Sequence, residues 1–393
     1  MPFVLPSSLI NSDELALVLA YGRLSVLEAC SVLGRNVQRA EAPCERVSVL
    51  KIDPPAQLRV PELAGAHKCA PLTLVTDGRS SDLGKLVEQV TMHLDEKSNL
   101  SLSGYELGED DYEDLARSLL DGIRSAGLRK VRLLRPKGNE LLSEQVLSRK
   151  ALDVVAFAYH DGFGLGPTTW VPDSASMRRR GTSKPMPHSD ISLSPRLARV
   201  LLNLAGLHRG QTVLDPFCGS GTILAEANTK SLRCLGLDSS ASRVQDARQN
   251  LQWSGGWAND GGYDIRKGDA RELYRLLRGT KVDAVVTEPL LMPRLEARPR
   301  TTTAEDMINE AAMVYSQALA SMAASIRPEG RIVIVVPIIM TMDGEEVALT
   351  LEGRKLGLNL YQPGPTGFEY PVRLSFETTR WVRRGVYVFE SKS

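Results

Sequence analysis

Four predicted strands in the second half of the chain each run into an acidic residue. Thr212-Val213-Leu214 stops at Asp215, and Leu232 to Leu237 stops at Asp238. Tyr263 to Lys267 is followed by Gly268-Asp269, and Ala284 to Thr287 by Glu288. Helical segments separate these strands; Ser239 or Ser240 is placed to cap one of them. A longer helical pattern, Ile308, Ala311, Ala312, Tyr315, Leu319, Met322 and Ile326, leads to a fifth strand at Arg331 to Val336. Thr302 and Glu305 predict a capping box at its start. Alternation of this kind forms a parallel sheet with helices on both faces. Such sheets bind ligands outside their carboxyl edge, so the four acids converge on one crevice. A single acid at a strand end is ordinary capping; four in register, the first followed by glycines, point to a ligand.

The turn Asp215-Pro216-Phe217-Cys218-Gly219-Ser220-Gly221-Thr222 narrows the ligand. Leu224 stands where the dinucleotide fingerprint requires a third glycine, and no Gly-Lys-Ser/Thr follows for a P-loop. Asp238 lies 23 residues after Asp215 (238 − 215), near the spacing of a ribose-binding acid. A ribose without a required pyrophosphate suggests S-adenosylmethionine.

Composition sets the bounds. The 393 residues are 42% hydrophobic and 24% charged, as in soluble globular proteins, and suggest two or three domains. The net charge of +1 makes no global case for nucleic acid, so any basic surface must be local. No apolar stretch is long enough to span a membrane, and MPFVLPSSLINSDE lacks the basic start of a secretory signal. The 5 cysteines form no CxxC pair, which predicts a reducing cytoplasm, and neither they nor the 5 histidines show metal-ligand spacing. In the N-terminal half, residues 14–33 and 112–126 read as helices, Lys130 to Leu134 as a strand, 140–150 as a helix and Val154 to Tyr159 as a strand. These pieces suggest small α+β domains. The Ser-, Pro- and Arg-rich stretch Pro172 to Ser192 reads as a linker.

Leu214 to Ala227 resembles the first motif of RNA N-methyltransferases that carry a THUMP domain, in particular archaeal tRNA guanine-10 N2-methyltransferases and their eukaryotic counterpart. Leu193 to Leu204 is similar to the helix preceding the sheet in that family. Leu141 to Leu147 and Gly166 to Asp173 resemble the end of its THUMP module. The resemblance implies a Rossmann-like S-adenosylmethionine-dependent sheet over 193–393. The resemblance covers about 100–340; together with the reading of the N-terminal half it gives an N-terminal α+β (ferredoxin-like) domain over 1–90, a THUMP-like RNA-binding domain over 91–171 and a linker over 172–192. Gly219 and Gly221 would pass near the cofactor's methionine part, Asp238 would hold the ribose, and Asp269 with Ala270 would read the adenine amine. Asp215 would hold the turn or the cofactor ammonium; Phe217, Thr222 and Ser239 complete the cofactor set.

The fourth motif departs from the family. Asp-Pro-Pro-Tyr is usual there, with a carboxylate and a backbone carbonyl on the target amine and an aromatic on the extruded base. This chain has Glu288-Pro289-Leu290-Leu291. Glu288 and the Pro289 carbonyl are the expected amine-binding groups; Phe368, Tyr370 or Trp381 is left to supply the stacking ring. Basic clusters suited to phosphate are Arg178, Arg179, Arg180 and Lys184; Arg294, Arg298 and Arg300; and Arg380, Arg383 and Arg384 around Trp381. The expected partner is tRNA, methylated at guanine N2, in the cytoplasm and with no membrane. A small activator protein is left open. The alternatives are a non-catalytic RNA-binding protein that keeps the fold, and an amino-methyltransferase acting on another RNA or on DNA.

Overall fold

The computed structural model describes residues 3–4, 12–53, 59–76, 83–186, 193–255, 262–289, 292, 295–365, 367–374 and 381–392. Leu290, Leu291, Arg294 and Arg380 therefore lie outside the described residues. The chain divides into two compact units. One is Met1–Ala175 with Gly364–Thr366; the other is Ser176–Pro363 with Gly367–Ser393.

The first unit holds a six-stranded and a five-stranded sheet. Both draw on both ends of the segment: Trp170–Val171 joins the sheet of Glu14–Leu19 and Ala66–Pro71, and Leu74–Thr76 pairs with Gly162–Pro167 in the other. The sheets are tied by a fully buried ion pair, Lys68 Nζ to Asp153 at 2.7 Å, which also engages the Ser103 and Thr168 hydroxyls. The single helix expected over 14–33 is instead the strand Glu14–Leu19 followed by the helix Arg23–Leu33. The strand is buried between two others, so its apolar run shows no alternation and imitates a buried helix.

The second unit carries the expected alternation. Its elements are α1 (Pro195–Leu204), β1 (Thr212–Asp215), α2 (Thr222–Thr229), β2 (Arg233–Asp238), α3 (Ala241–Trp253), β3 (Tyr263–Lys267), β4 (Val282–Thr287), α4 (Thr301–Ser325), β5 (Ile326–Met340) and β6 (Val382–Ser391). The sheet has nine strands, with the order β3-β2-β1-β4-β5-β6 followed by Leu358–Leu360. β1 to β5 are parallel and β6 runs antiparallel to β5. The chain moves outward from β1 to β3 and then crosses back to β4, so β1 and β4 flank the switch point where ligands bind. The strands fill with Val, Ile and Leu because both faces are covered.

Two further expectations change. Helix α4 is N-capped by the Arg300 backbone and has no side-chain cap, so Thr302 lies inside its first turn and the capping box does not form. The stretch read as a linker holds a helix at Ser174–Thr182, anchored by an ion pair described below.

Candidate functional site

The turn after β1 is built around two glycines and one acid. Gly219 and Gly221 have φ of 48° and 81°, the left-handed region that side chains disfavour. Their surroundings differ. A Cβ at Gly221 would meet Leu251 at 2.8 Å and Ala247 at 3.2 Å, so this glycine lets α3 pack against the turn. A Cβ at Gly219 would meet nothing within 4 Å, so the turn is open there. The Gly219 N–H donates to Asp238 Oδ2 at 3.0 Å, and the Ser240 N–H donates to Oδ1 at 2.9 Å. Among the described residues two of the carboxylate's roughly four acceptor positions are thus used, which suits it to accept from a ligand hydroxyl as well. Ser240, the N-cap of α3, accepts from the Arg243 N–H, while Ser239 beside it is exposed.

Asp215 turns inward and is 2% exposed. Its Oδ1 accepts from the Thr287 hydroxyl at 2.6 Å and from the Phe217 N–H at 3.1 Å. Burial pushes its pKa up to about 7; the two donors oppose this, and the charges of Asp238 and Glu288 add to it. Asp215 therefore holds the turn to β4. Phe217 is half-buried and packs on the core under α4. Cys218 is buried, and burial followed by the Asp215 and Asp238 charges keeps its thiol protonated, which disqualifies it as a nucleophile at neutral pH.

Asp269 caps the turn Ala270–Glu272, accepting from the Arg271 N–H at 2.9 Å. The Arg271 guanidinium also pairs with it at 2.6 Å and holds its carboxyl below the usual range. Its carboxylate is thus engaged by its own neighbour, with Ala270 buried beneath. Glu288 follows β4 directly, and its Oε1 accepts from Arg384 Nε at 2.5 Å. The two side chains are 11% and 9% exposed. Pro289 is buried.

The basic residues separate into two kinds. Arg178, Arg179, Arg298 and Arg300 are exposed. Arg180 is not a surface cation, because the buried Glu226 carboxylate accepts from its Nε at 2.5 Å and also from Arg199 at 2.9 Å. Lys184 is 8% exposed, and its ammonium reaches Ser220 at 3.3 Å and Thr222 at 3.1 Å. Burial lowers its pKa. These two expected RNA contacts are engaged by protein groups: Arg180, partly exposed, anchors the Ser174–Thr182 helix to Glu226, and the buried Lys184 braces the glycine turn. Arg384 likewise belongs to the Glu288 pair, and Arg383 reaches Glu346 at 3.4 Å. Arg384, expected on RNA phosphate, is found on Glu288 instead. Thr287 and Asn250, whose amide donates to the Ser220 carbonyl at 2.9 Å, were not among the expected site residues. Thr287 adjoins Glu288 and carried a local signal; Asn250 did not. Among the described residues no group of His, Cys, Asp or Glu is placed to hold a metal ion, and no helix is long and apolar enough to cross a membrane.

A parallel sheet with a glycine turn after its first strand, and acids at the switch point, defines a Rossmann-like α/β fold. Residues 187–344 match the family model UPF0020, the RMKL-like methyltransferase domain. A relative from Methanothermobacter thermautotrophicus, named tRNA (guanine(10)-N2)-dimethyltransferase, is 45% identical over 98 residues, 25% of this chain and 27% of that protein. One of the same name from Pyrococcus abyssi is 31% identical over 185 residues, 47% of this chain and 49% of that protein. The chain thus matches at most about half the length of these two relatives. TrmN from Thermus thermophilus shares the fold, with a TM-score of 0.52 and 19% identity over 96% of this chain and 99% of that one.

Proposed function

We propose that this chain is an S-adenosylmethionine-dependent methyltransferase acting on an exocyclic amine of tRNA, guanine N2 being the favoured target. The observation that carries this reading is the Gly219–Asp238 bond: an open turn and a half-satisfied carboxylate meet at the switch point of the sheet. The names of the two relatives supply the substrate class. The residues suit the cofactor: Asp238 for its ribose hydroxyls, the open Gly219 backbone for its methionine part, and the Ala270 turn for its adenine. When bound, S-adenosylmethionine supplies the methyl group. Glu288 and the Pro289 carbonyl would accept hydrogen bonds from the target amine and hold its lone pair in line. Asp215, tied to Thr287, keeps β1 and β4 in register beneath that position. Rate enhancement would come from positioning and a fixed charge arrangement.

We also propose a THUMP-like RNA-binding module within the first unit. The expected boundary at 90/91 falls inside the helix Gly84–Thr91, and both sheets take strands from either side of it, so 1–90 and 91–171 are not separate domains. The cytoplasm as its location and tRNA as its partner follow from the same reading. A non-catalytic RNA-binding role has one observation in its favour, since Glu288 is already paired with Arg384. Calorimetric titration with S-adenosylmethionine, beside transfer of labelled methyl to unmodified tRNA transcripts, separates the two. Binding with transfer supports the enzyme, and binding without transfer on any tRNA supports the alternative.

A further inference from the structure

The fourth motif has no aromatic residue, and three rings elsewhere were candidates to replace it. Two are already used. Phe368 is 5% exposed, with its backbone N–H and C=O both bonded to the Gln362 amide at 2.8 Å. Tyr370 stacks on Tyr387 with centroids 5.9 Å apart, and its hydroxyl donates to the Tyr361 carbonyl at 2.5 Å. Trp381 differs, being 37% exposed.

Its position is fixed by the sheet. β5 runs parallel to β4 and ends at Met340, whose N–H donates to the Trp381 carbonyl at 2.8 Å. β6 begins at Val382, opposite Ile339. Trp381 therefore lies at the carboxyl end of the sheet, level with Met340 and about 20 Å along β5 beyond Ile334, the partner of Thr287 at the end of β4. It is three residues before Arg384, the partner of Glu288, or about 10 Å along the strand. The segment after Glu288 returns to the same place. Arg298 lies over the Trp381 ring at 4.9 Å, and the Pro299 carbonyl accepts from the Met342 N–H at 2.9 Å. The exposed Arg300 follows at the cap of α4. An exposed aromatic ring braced by a guanidinium matches the chemistry of an unstacked nucleobase.

We propose that Trp381, braced by Arg298, is the platform on which an unstacked base of the RNA stacks at this site. The inference rests on the methyl-transfer reading and deepens it by adding a base contact beyond the target nucleotide, toward the carboxyl end of β5. Base–aromatic stacking corresponds to about 5- to 150-fold in binding per base.

The test compares the full-length wild type, Trp381→Phe, Trp381→Leu and Trp381→Ala with an unmodified tRNA transcript. Single-turnover methyl transfer should fall about 5- to 150-fold in Trp381→Ala and Trp381→Leu. It should be largely kept in Trp381→Phe, with cofactor affinity unchanged throughout. Tryptophan emission should be quenched by tRNA in the wild type and the quench lost in Trp381→Phe, which leaves Trp170, Trp253 and Trp257 in place. Transfer and quenching equal in all four proteins overturn the platform and leave the proposed function standing. A wild type that neither binds nor methylates tRNA overturns both.

Discussion

Arg384 Nε donates to Glu288 Oε1 at 2.5 Å, joining the strand β6 to the segment that would bind the target amine. The partners are 96 residues apart in sequence, and both side chains are about nine-tenths buried. A carboxylate in that position is thus already fixed before any base arrives. The pair accounts for the extra methylene relative to aspartate: it is the longer arm that meets the guanidinium here.

Losing either charge breaks the buried pair, so Glu288→Gln and Arg384→Ala should both lose stability, and cofactor affinity beside methyl transfer tells the functional role of Glu288 apart. Glu288→Gln keeps the shape and removes the charge, so methyl transfer should drop by about 10²–10³ while cofactor affinity stays constant. Arg384→Ala leaves a buried carboxylate without this partner and should cost about 3–5 kcal/mol of stability, read by denaturant unfolding. Glu288→Asp shortens the arm and should lose part of the same stability. Wild-type transfer rates in Glu288→Gln would mean that another group binds the amine.

Asp238 has two duties, and its variants should show both. Asp238→Ala removes the ribose acceptor and the bond from the Gly219 N–H. Cofactor binding should weaken by at least about 1.5–3 kcal/mol, the worth of hydrogen bonds to a charged group. Asp238→Asn can still accept from one N–H and should lose less. Equal titration curves for wild type and Asp238→Ala would remove the residue from the site.

The strand-and-helix alternation of the second unit was legible because its signals are local: an apolar run, an acid, a glycine turn, a cap. The pairing of Arg384 with Glu288 was not, because nothing near either residue in sequence announces the other. The same holds for Arg180 and Glu226, whose ion pair converts an apparent surface cation into an anchor. Glu14–Leu19 was misread for a different reason: buried on both faces, it loses the alternation that marks a strand.

The exposure of the arginines predicts a split in their salt dependence. If tRNA phosphates contact Arg178 and Arg179, replacing both should flatten the slope of log affinity against log salt by about 0.7–0.9 for each. Arg180→Ala should leave that slope unchanged and lower stability instead, because Glu226 is 1% exposed and loses a partner. Filter binding across a salt series, beside thermal unfolding, checks both. A flattened slope in Arg180→Ala with unaltered stability would put that side chain on the RNA.

Asp215 makes stability depend on pH in a direction opposite to most carboxylates. Its pKa in the folded chain is about 7, against an ordinary value of 3.8. The folded state therefore binds a proton that the unfolded state has released over that window. The contribution is fully present below about pH 4 and is lost as pH rises through about 7, on the order of 4 kcal/mol in all. Asp215→Asn keeps an oxygen to accept from the Thr287 hydroxyl and the Phe217 N–H but cannot titrate. Relative to the wild type, it should gain stability as pH is raised from 5 to 8. Urea unfolding of both proteins at several pH values gives the difference directly. A constant difference across that range would show that Asp215 is ionised throughout, and that the Thr287 and Phe217 donors outweigh its burial.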